Sequence, residues 1–233
     1  MSRPLGRLTP PDFEHVAKYP LSAIEMTTFK PVTIGTNWYT SFDTPRQLSD
    51  GSWHLPDSSK ESLGSIRGGH ATALVQMGMV KLLQRAWQIF YNQGPEGACE
   101  GFSHAYAQTL EKGVTFDPWF LYDQARKLEG TFPSGEGTTN RSVCSVLQKL
   151  GVPTQVRELA TRGAVDGATQ HIATYRWATT AEEVCNALGR PNANAVPLLS
   201  PWGLGYPQPV WLPVATLERL LHEDGEADIV TDQ

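Results

Sequence analysis

The sequence predicts a mixed α+β fold arranged in two lobes. Three observations predict it. Helical periodicity is concentrated between residues 98 and 150, β-rich apolar runs flank that region on both sides, and no internal repeat or low-complexity tract imposes another architecture. An extended arm is expected over 1–29 and one domain over 30–233, with a helical lobe over about 79–150 and a β lobe over about 30–78 and 152–213.

The arm rests on Pro4, Pro10, Pro11 and Pro20, which suit an extended segment laid over a surface. Pro31 to Tyr39 is rich in β-formers and reads as a buried strand. A long loop with several turns follows over 43–69, and a second strand is expected from Gly69 to Val75 with His70 at its start. Val80, Leu83, Trp87 and Phe90 fall near one face of a helix over 79–91. Ala98, Phe102, Ala105, Tyr106 and Leu110 give the next helix its apolar stripe.

Asp117-Pro118 is a cap followed by proline at the first helical position, opening a helix that stops at Gly130. A third runs from about Thr139 to Leu150 and ends at Gly151. Residues 152–178 read as a strand, a loop and a short strand-like run beginning at His171. Thr180 and Glu183 form a capping box for a helix ending at Gly189. The apolar runs 195–199 and 210–213 precede a last helix through about His222.

Composition narrows the function. The chain has 233 residues, 40% of them hydrophobic and 18% charged, enough for a core without disulfide staples. A net charge of -5 gives no footprint for nucleic acid or an anionic membrane, so neither is expected as a partner. Cys99, Cys144 and Cys185 are odd in number and lack CxxC spacing, so no disulfide framework, metal site or cofactor is expected. With no signal-peptide core at the N-terminus and no apolar run of spanning length, the sequence reads as cytoplasmic, where a free thiol persists. Its oligomeric state is not readable.

Chemistry concentrates in residues 93–103, Gln-Gly-Pro-Glu-Gly-Ala-Cys-Glu-Gly-Phe-Ser. Cys99 sits where a turn enters a helix, and a helix N-terminus favours thiolate over thiol. Flanking glycines let a substrate backbone come close, and Gln93 can offer its amide to a developing oxyanion. A cysteine nucleophile also needs a base. His104 lies on the same helix, turned away from Cys99, and is expected at the surface. His15 and His222 sit in polar segments and His54 in the turn-rich loop. His171 stays open, and His70, held by two glycines at a strand entrance, is the best candidate. Cys144 and Cys185 are expected to be packing residues.

The segment 93–103 resembles the active-site segment of papain-like cysteine peptidases, in which a glutamine six residues before the cysteine helps form the oxyanion hole. Asp117 to Tyr122 with Gly130 is similar to that family's next helix, Gly68-Gly69-His70-Ala71 to its histidine strand, and Ser200-Pro201-Trp202-Gly203 to its tryptophan-glycine segment. These cover most of residues 30–213, and the compact phage-encoded members are the most similar in character. The resemblance implies a helical lobe against an antiparallel β-sheet or barrel, catalysis by Cys99, His70, Gln93 and Ser200, and substrate contacts at Gly97, Gly69 and Trp202. For a phage-encoded member the location would be host cytoplasm or a virion.

Two departures accompany it. The family runs cysteine, histidine, asparagine, whereas His70 precedes Cys99; moving the block 30–75 ahead of the cysteine helix would generate this order, a permutation similar to that of lecithin retinol acyltransferase-like proteins. Where the orienting asparagine should stand, Ser200 and Pro201 stand instead, so the orienter is Ser200, a backbone carbonyl or nothing. Glu100 also puts a negative charge beside the nucleophile, which would oppose the thiolate if it pointed inward. The leading expectation is a peptidase cleaving peptide or isopeptide bonds in a peptide or protein substrate. The alternatives are a permuted acyltransferase or amidase, and an inactive peptide-binding protein that keeps the cleft.

Overall fold

The computed structural model describes residues 30–76, 91–154 and 169–231. The expected arm over 1–29 and nearly all of the helix expected over 79–91 lie outside the described residues, as does 155–168. What is described is a mixed α+β architecture: one large sheet with helices packed on both faces.

In chain order the elements are β1 (Val32–Tyr39), β2 (Arg46–Gln47), β3 (Trp53–His54), β4 (Ile66–Leu74), α1 (Cys99–Lys112), α2 (Pro118–Glu129), α3 (Asn140–Lys149), β5 (Val152–Pro153), β6 (Thr169–Gln170) and β7 (Thr174–Ala178). They continue with α4 (Ala181–Ala187), β8 (Ala195–Leu199), β9 (Val210–Pro213), α5 (Val214–His222) and β10 (Glu226–Thr231). No helix among them is long and apolar enough to cross a membrane.

The sheet order is β2-β3-β9-β8-β4-β1-β10-β7. Every pairing is antiparallel except β3 with β9. Its two ends, β2 and β7, do not meet, so the expected sheet-or-barrel is an open sheet. Side-chain alternation sorts its faces. Ala73, Leu199 and Val230 join the core under α1, α2 and α3, while the adjacent Leu74, Leu198 and Ile229 join the core under α4 and α5.

Local signals place the helices. Asp117 Oδ1 accepts hydrogen bonds from the N–H groups of Trp119 (2.9 Å) and Phe120 (3.1 Å), satisfying two of the free donors that open α2. Thr180 and Glu183 make the reciprocal capping box of α4. Two expectations change. The histidine strand begins at Ile66, placing His70 mid-strand opposite Thr36, because the ladder with β1 continues through Gly68 and Gly69. The chain also does not finish on its last helix: β10 follows and inserts between β1 and β7.

Helix α1 departs furthest from its amphipathic expectation, since every residue from Glu100 to Leu110 is buried. It lies between the sheet and α2, and Gly101 sets the second approach. A Cβ there would lie 2.7 Å from the Pro118 carbonyl oxygen and 2.8 Å from the Tyr122 nitrogen, both backbone atoms. Gly101→Ala is therefore expected to destabilise the fold by about 1–3 kcal/mol despite alanine's better helix propensity. A lowered denaturant midpoint at unchanged slope checks this.

Candidate active site

Cys99 is the first residue of α1, preceded by Ala98, whose side chain cannot cap the helix. The half-buried thiol opens into a cleft of about 440 Å³. The cleft is walled by β1 and β4 residues (Gly35, Thr36, Asn37, Gly69, His70), by Gly97, Cys99 and Glu100, by Gly137 to Thr139 and Asn140 at the start of α3, and at its rim by Asp224 and Glu226. A larger depression between α4 and α5 carries no histidine.

Sequence reasoning paired Cys99 with His70, and both line this one cleft. The Cys99 Sγ is met by the backbone N–H of Ala71, the residue after His70. No hydrogen bond joins the thiol to the imidazole. Alternation along β4 explains this: Ala73 faces α1, whereas His70 faces Trp38 and Trp202 on the other side of the strand.

The His70 ring is tightly located. Its Nε2 lies 3.2 Å from Ser200 Oγ, the plane of Trp202 stacks on it at 4.3 Å, and Trp38 meets it edge-on at 4.7 Å. Ser200 is fully buried and follows β8, the antiparallel neighbour of β4. Gln208 holds this turn by donating to the carbonyls of Ser200 (2.7 Å) and Gly203 (2.9 Å). Nothing in the local sequence marks Gln208 for that role, because its partners become neighbours only through the turn.

The remaining site residues divide. Gly97 and Gly69 line the cleft. Trp202 covers the His70–Ser200 contact instead of lining the cleft. Gln93 also lies outside the lining: its Nε2 donates to the Glu96 carbonyl at 2.8 Å, and its backbone N–H to the Pro201 carbonyl at 2.9 Å. That second bond, with Gly203 N–H to the Tyr91 carbonyl at 3.0 Å, staples the glutamine segment to the Ser200–Trp202 turn. His171 is half-exposed against Gln148 on α3, away from the cleft.

Electrostatics correct one expectation. Burial, with the Glu100 charge second, pushes the Cys99 thiol up to about 11, outweighing the Ala71 and Glu100 N–H groups that pull it down. Burial likewise pushes the Glu100 carboxyl up to about 8 and holds His70 down at about 3. At neutral pH both groups therefore rest uncharged, a thiol on the cleft and an imidazole held against Trp38 and Trp202. The helix N-terminus alone would have favoured thiolate, but the desolvation of a site roofed by α1 and the sheet is larger.

His104 also departs from expectation. It is 1% exposed and packs against Cys144 of α3 and Asp228 of β10, because α1 has no solvent face. Compared with known proteins, the chain matches no family model, no curated protein and no solved structure.

Proposed function

We propose that this protein is a papain-like cysteine hydrolase, with the two-lobe arrangement permuted so that the histidine strand precedes the cysteine helix, acting on peptide or isopeptide bonds. One observation carries the reading: Cys99 at the head of α1 shares a cleft with a histidine whose far nitrogen is held by Ser200 under the Trp202 ring. The adjacency of β4 and β8 supports the permutation, since it sets His70 and Ser200 side by side whichever is earlier in the chain.

The chemistry follows from which atoms are engaged. With Nε2–H donating to Ser200 Oγ, the Nδ1 lone pair of His70 is the acceptor for the Cys99 proton. Cys99 Sγ attacks the carbonyl carbon as its proton passes to Nδ1 through a water in the shared cleft, since the ring itself stays held against Trp38 and Trp202. The tetrahedral oxygen takes the Cys99 backbone N–H, and Gln93, outside the cleft lining at rest with its amide on the Glu96 carbonyl, adds its second Nε2 hydrogen as the substrate seats. The imidazolium then returns its proton to the leaving amine, and water hydrolyses the thioester. Gln93→Ala is accordingly expected to lower kcat by about 10²–10³-fold with little change in KM, read from initial rates on a cleaved peptide.

The cleft suggests its substrate. Gly35, Gly69, Gly97 and Gly137 bring backbone to the cleft wall, and the carboxylates of Asp224 and Glu226 stand at the rim with no lysine or arginine in the lining among the described residues. Peptides with a basic residue beside the scissile bond are expected to be preferred, and Asp224→Asn with Glu226→Gln to remove that preference.

A peptide library incubated with the wild type and with Cys99→Ser tests the assignment. Cleavage by the first and none by the second supports it. The raised thiol favours a second reading, a non-catalytic binder, which predicts equal peptide affinity for both proteins and no cleavage by either. Turnover of lipid or cell-wall amides with peptides untouched would mark the acyltransferase or amidase chemistry instead.

A further inference from the structure

We infer that His104, Cys144 and Asp228 form a metal site, taking a zinc-class divalent cation that ties α1, α3 and β10 together. Nothing in the proposed hydrolysis uses these residues, and all three side chains are at most 1% exposed.

The separations are of metal-ligand size, with His104 meeting one carboxylate oxygen of Asp228 and Cys144 the other, and one ligand atom of each residue lies within 4.8 Å of the other two. His104 Nε2 lies 3.2 Å from Asp228 Oδ1 and 3.5 Å from Cys144 Sγ, and Cys144 Sγ lies 3.4 Å from Asp228 Oδ2. A tetrahedral centre with a sulfur bond of about 2.3 Å and nitrogen and oxygen bonds of about 2.0–2.1 Å sets ligand separations of about 3.3–3.6 Å.

Two states are open to the cluster, one bridged by protons and one by a cation. His104 Nδ1 lies 2.8 Å from the Glu100 carbonyl, which only accepts, so Nδ1 carries the ring hydrogen. In the cation-bound state the ring is neutral and aims its Nε2 lone pair towards the thiol and the carboxylate, while the other nitrogen donates to a backbone carbonyl, as in metal-bound histidines. A second ring hydrogen is the competing state: burial opposes it, but the Asp228 carboxylate 3.2 Å away draws the ring up to about 8, so an imidazolium–carboxylate pair holds the site whenever no cation is bound. The thiol has one proton, which serves Asp228 Oδ2 or Nε2 but not both.

Charge balances as well. A divalent cation with one thiolate, one carboxylate and a neutral imidazole sums to zero, as a dry interior requires. Thiolate, imidazole and carboxylate together match zinc better than magnesium or calcium. Two more buried oxygens lack partners, Glu100 Oε2 and Asn140 Oδ1, each one helical turn before a ligand on the same helix, and the uncharged Asn140 amide is the candidate fourth ligand that keeps this balance. A closed, fully buried set of this kind is structural and loads as the chain folds.

The test uses the full chain carrying Cys99→Ser and Cys185→Ser, so that Cys144 is its sole thiol. It is unfolded, stripped with chelator, and refolded with cobalt(II). About one cobalt per chain retained through gel filtration, with sulfur-to-cobalt charge-transfer absorption in the near ultraviolet, is the expected result. Asp228→Asn should reduce retention at least tenfold. A refolded chain with native near-ultraviolet dichroism and no retained cobalt overturns the site, as does retention without the charge-transfer band. A chain that refolds only when cobalt or zinc is supplied, and then retains it, supports the site.

Discussion

His70→Ala is expected to lower kcat/KM on a cleaved peptide by about 10²–10⁴-fold, the span that a positioned general base contributes. On the proposed mechanism the loss should fall on kcat, because the ring serves there as the base and, held against Trp38 and Trp202, adds little to substrate binding. Ser200→Ala should be milder. Its hydroxyl makes one neutral contact of 3.2 Å with Nε2, and the ring stays clamped between two tryptophans when that contact is gone. A net 0.5–1.5 kcal/mol for such a bond corresponds to roughly a 2–10-fold loss. Rates for the two variants on one peptide check the ordering. Equal losses would mean that the serine does more than orient.

Acid should destabilise the fold through the same histidine. In the unfolded chain His70 takes a proton near its ordinary value of 6.5, whereas in the folded chain burial holds it neutral down to about 3. Between those values the unfolded state binds more protons, so stability falls as pH drops from about 6.5 towards 3. The full span is worth about 4–5 kcal/mol, a large share of a typical domain's stability. Denaturant unfolding at several pH values measures the slope, and His70→Gln should flatten it over that window. A slope the substitution leaves unchanged would place the acid sensitivity elsewhere.

The features legible in the sequence are those whose cause is local. Asp117-Pro118 and the Thr180–Glu183 box specify helix starts through atoms within three residues, and both caps form as written. Cys99 and His70 were legible as candidates by residue type and glycine context, and their sharing of one cleft depends on β1, β4 and α1 packing together. What stayed hidden is long-range. His104 looked exposed because helical spacing turned it from Cys99, but α1 buries every face of that turn. Asp228 gives no sign in the chain of occupying the helix-facing side of a strand paired on both edges, since β10 is defined by partners far earlier in sequence. The direction of the Cys99 shift was misread for a similar reason. The N-terminal N–H groups are local, whereas the desolvation that outweighs them comes from elements elsewhere in the chain.

The central claim is that Cys99 and His70 act as one reactive pair. Labelling of the native protein by a peptidyl epoxide at neutral pH, with the adduct located by peptide mass analysis, tests it most directly. The account predicts one adduct, on Cys99 and not on the buried Cys144 or Cys185, forming at least tenfold more slowly in His70→Ala. An unreactive Cys99 in the folded protein, or a labelling rate that His70→Ala leaves unchanged, would contradict it.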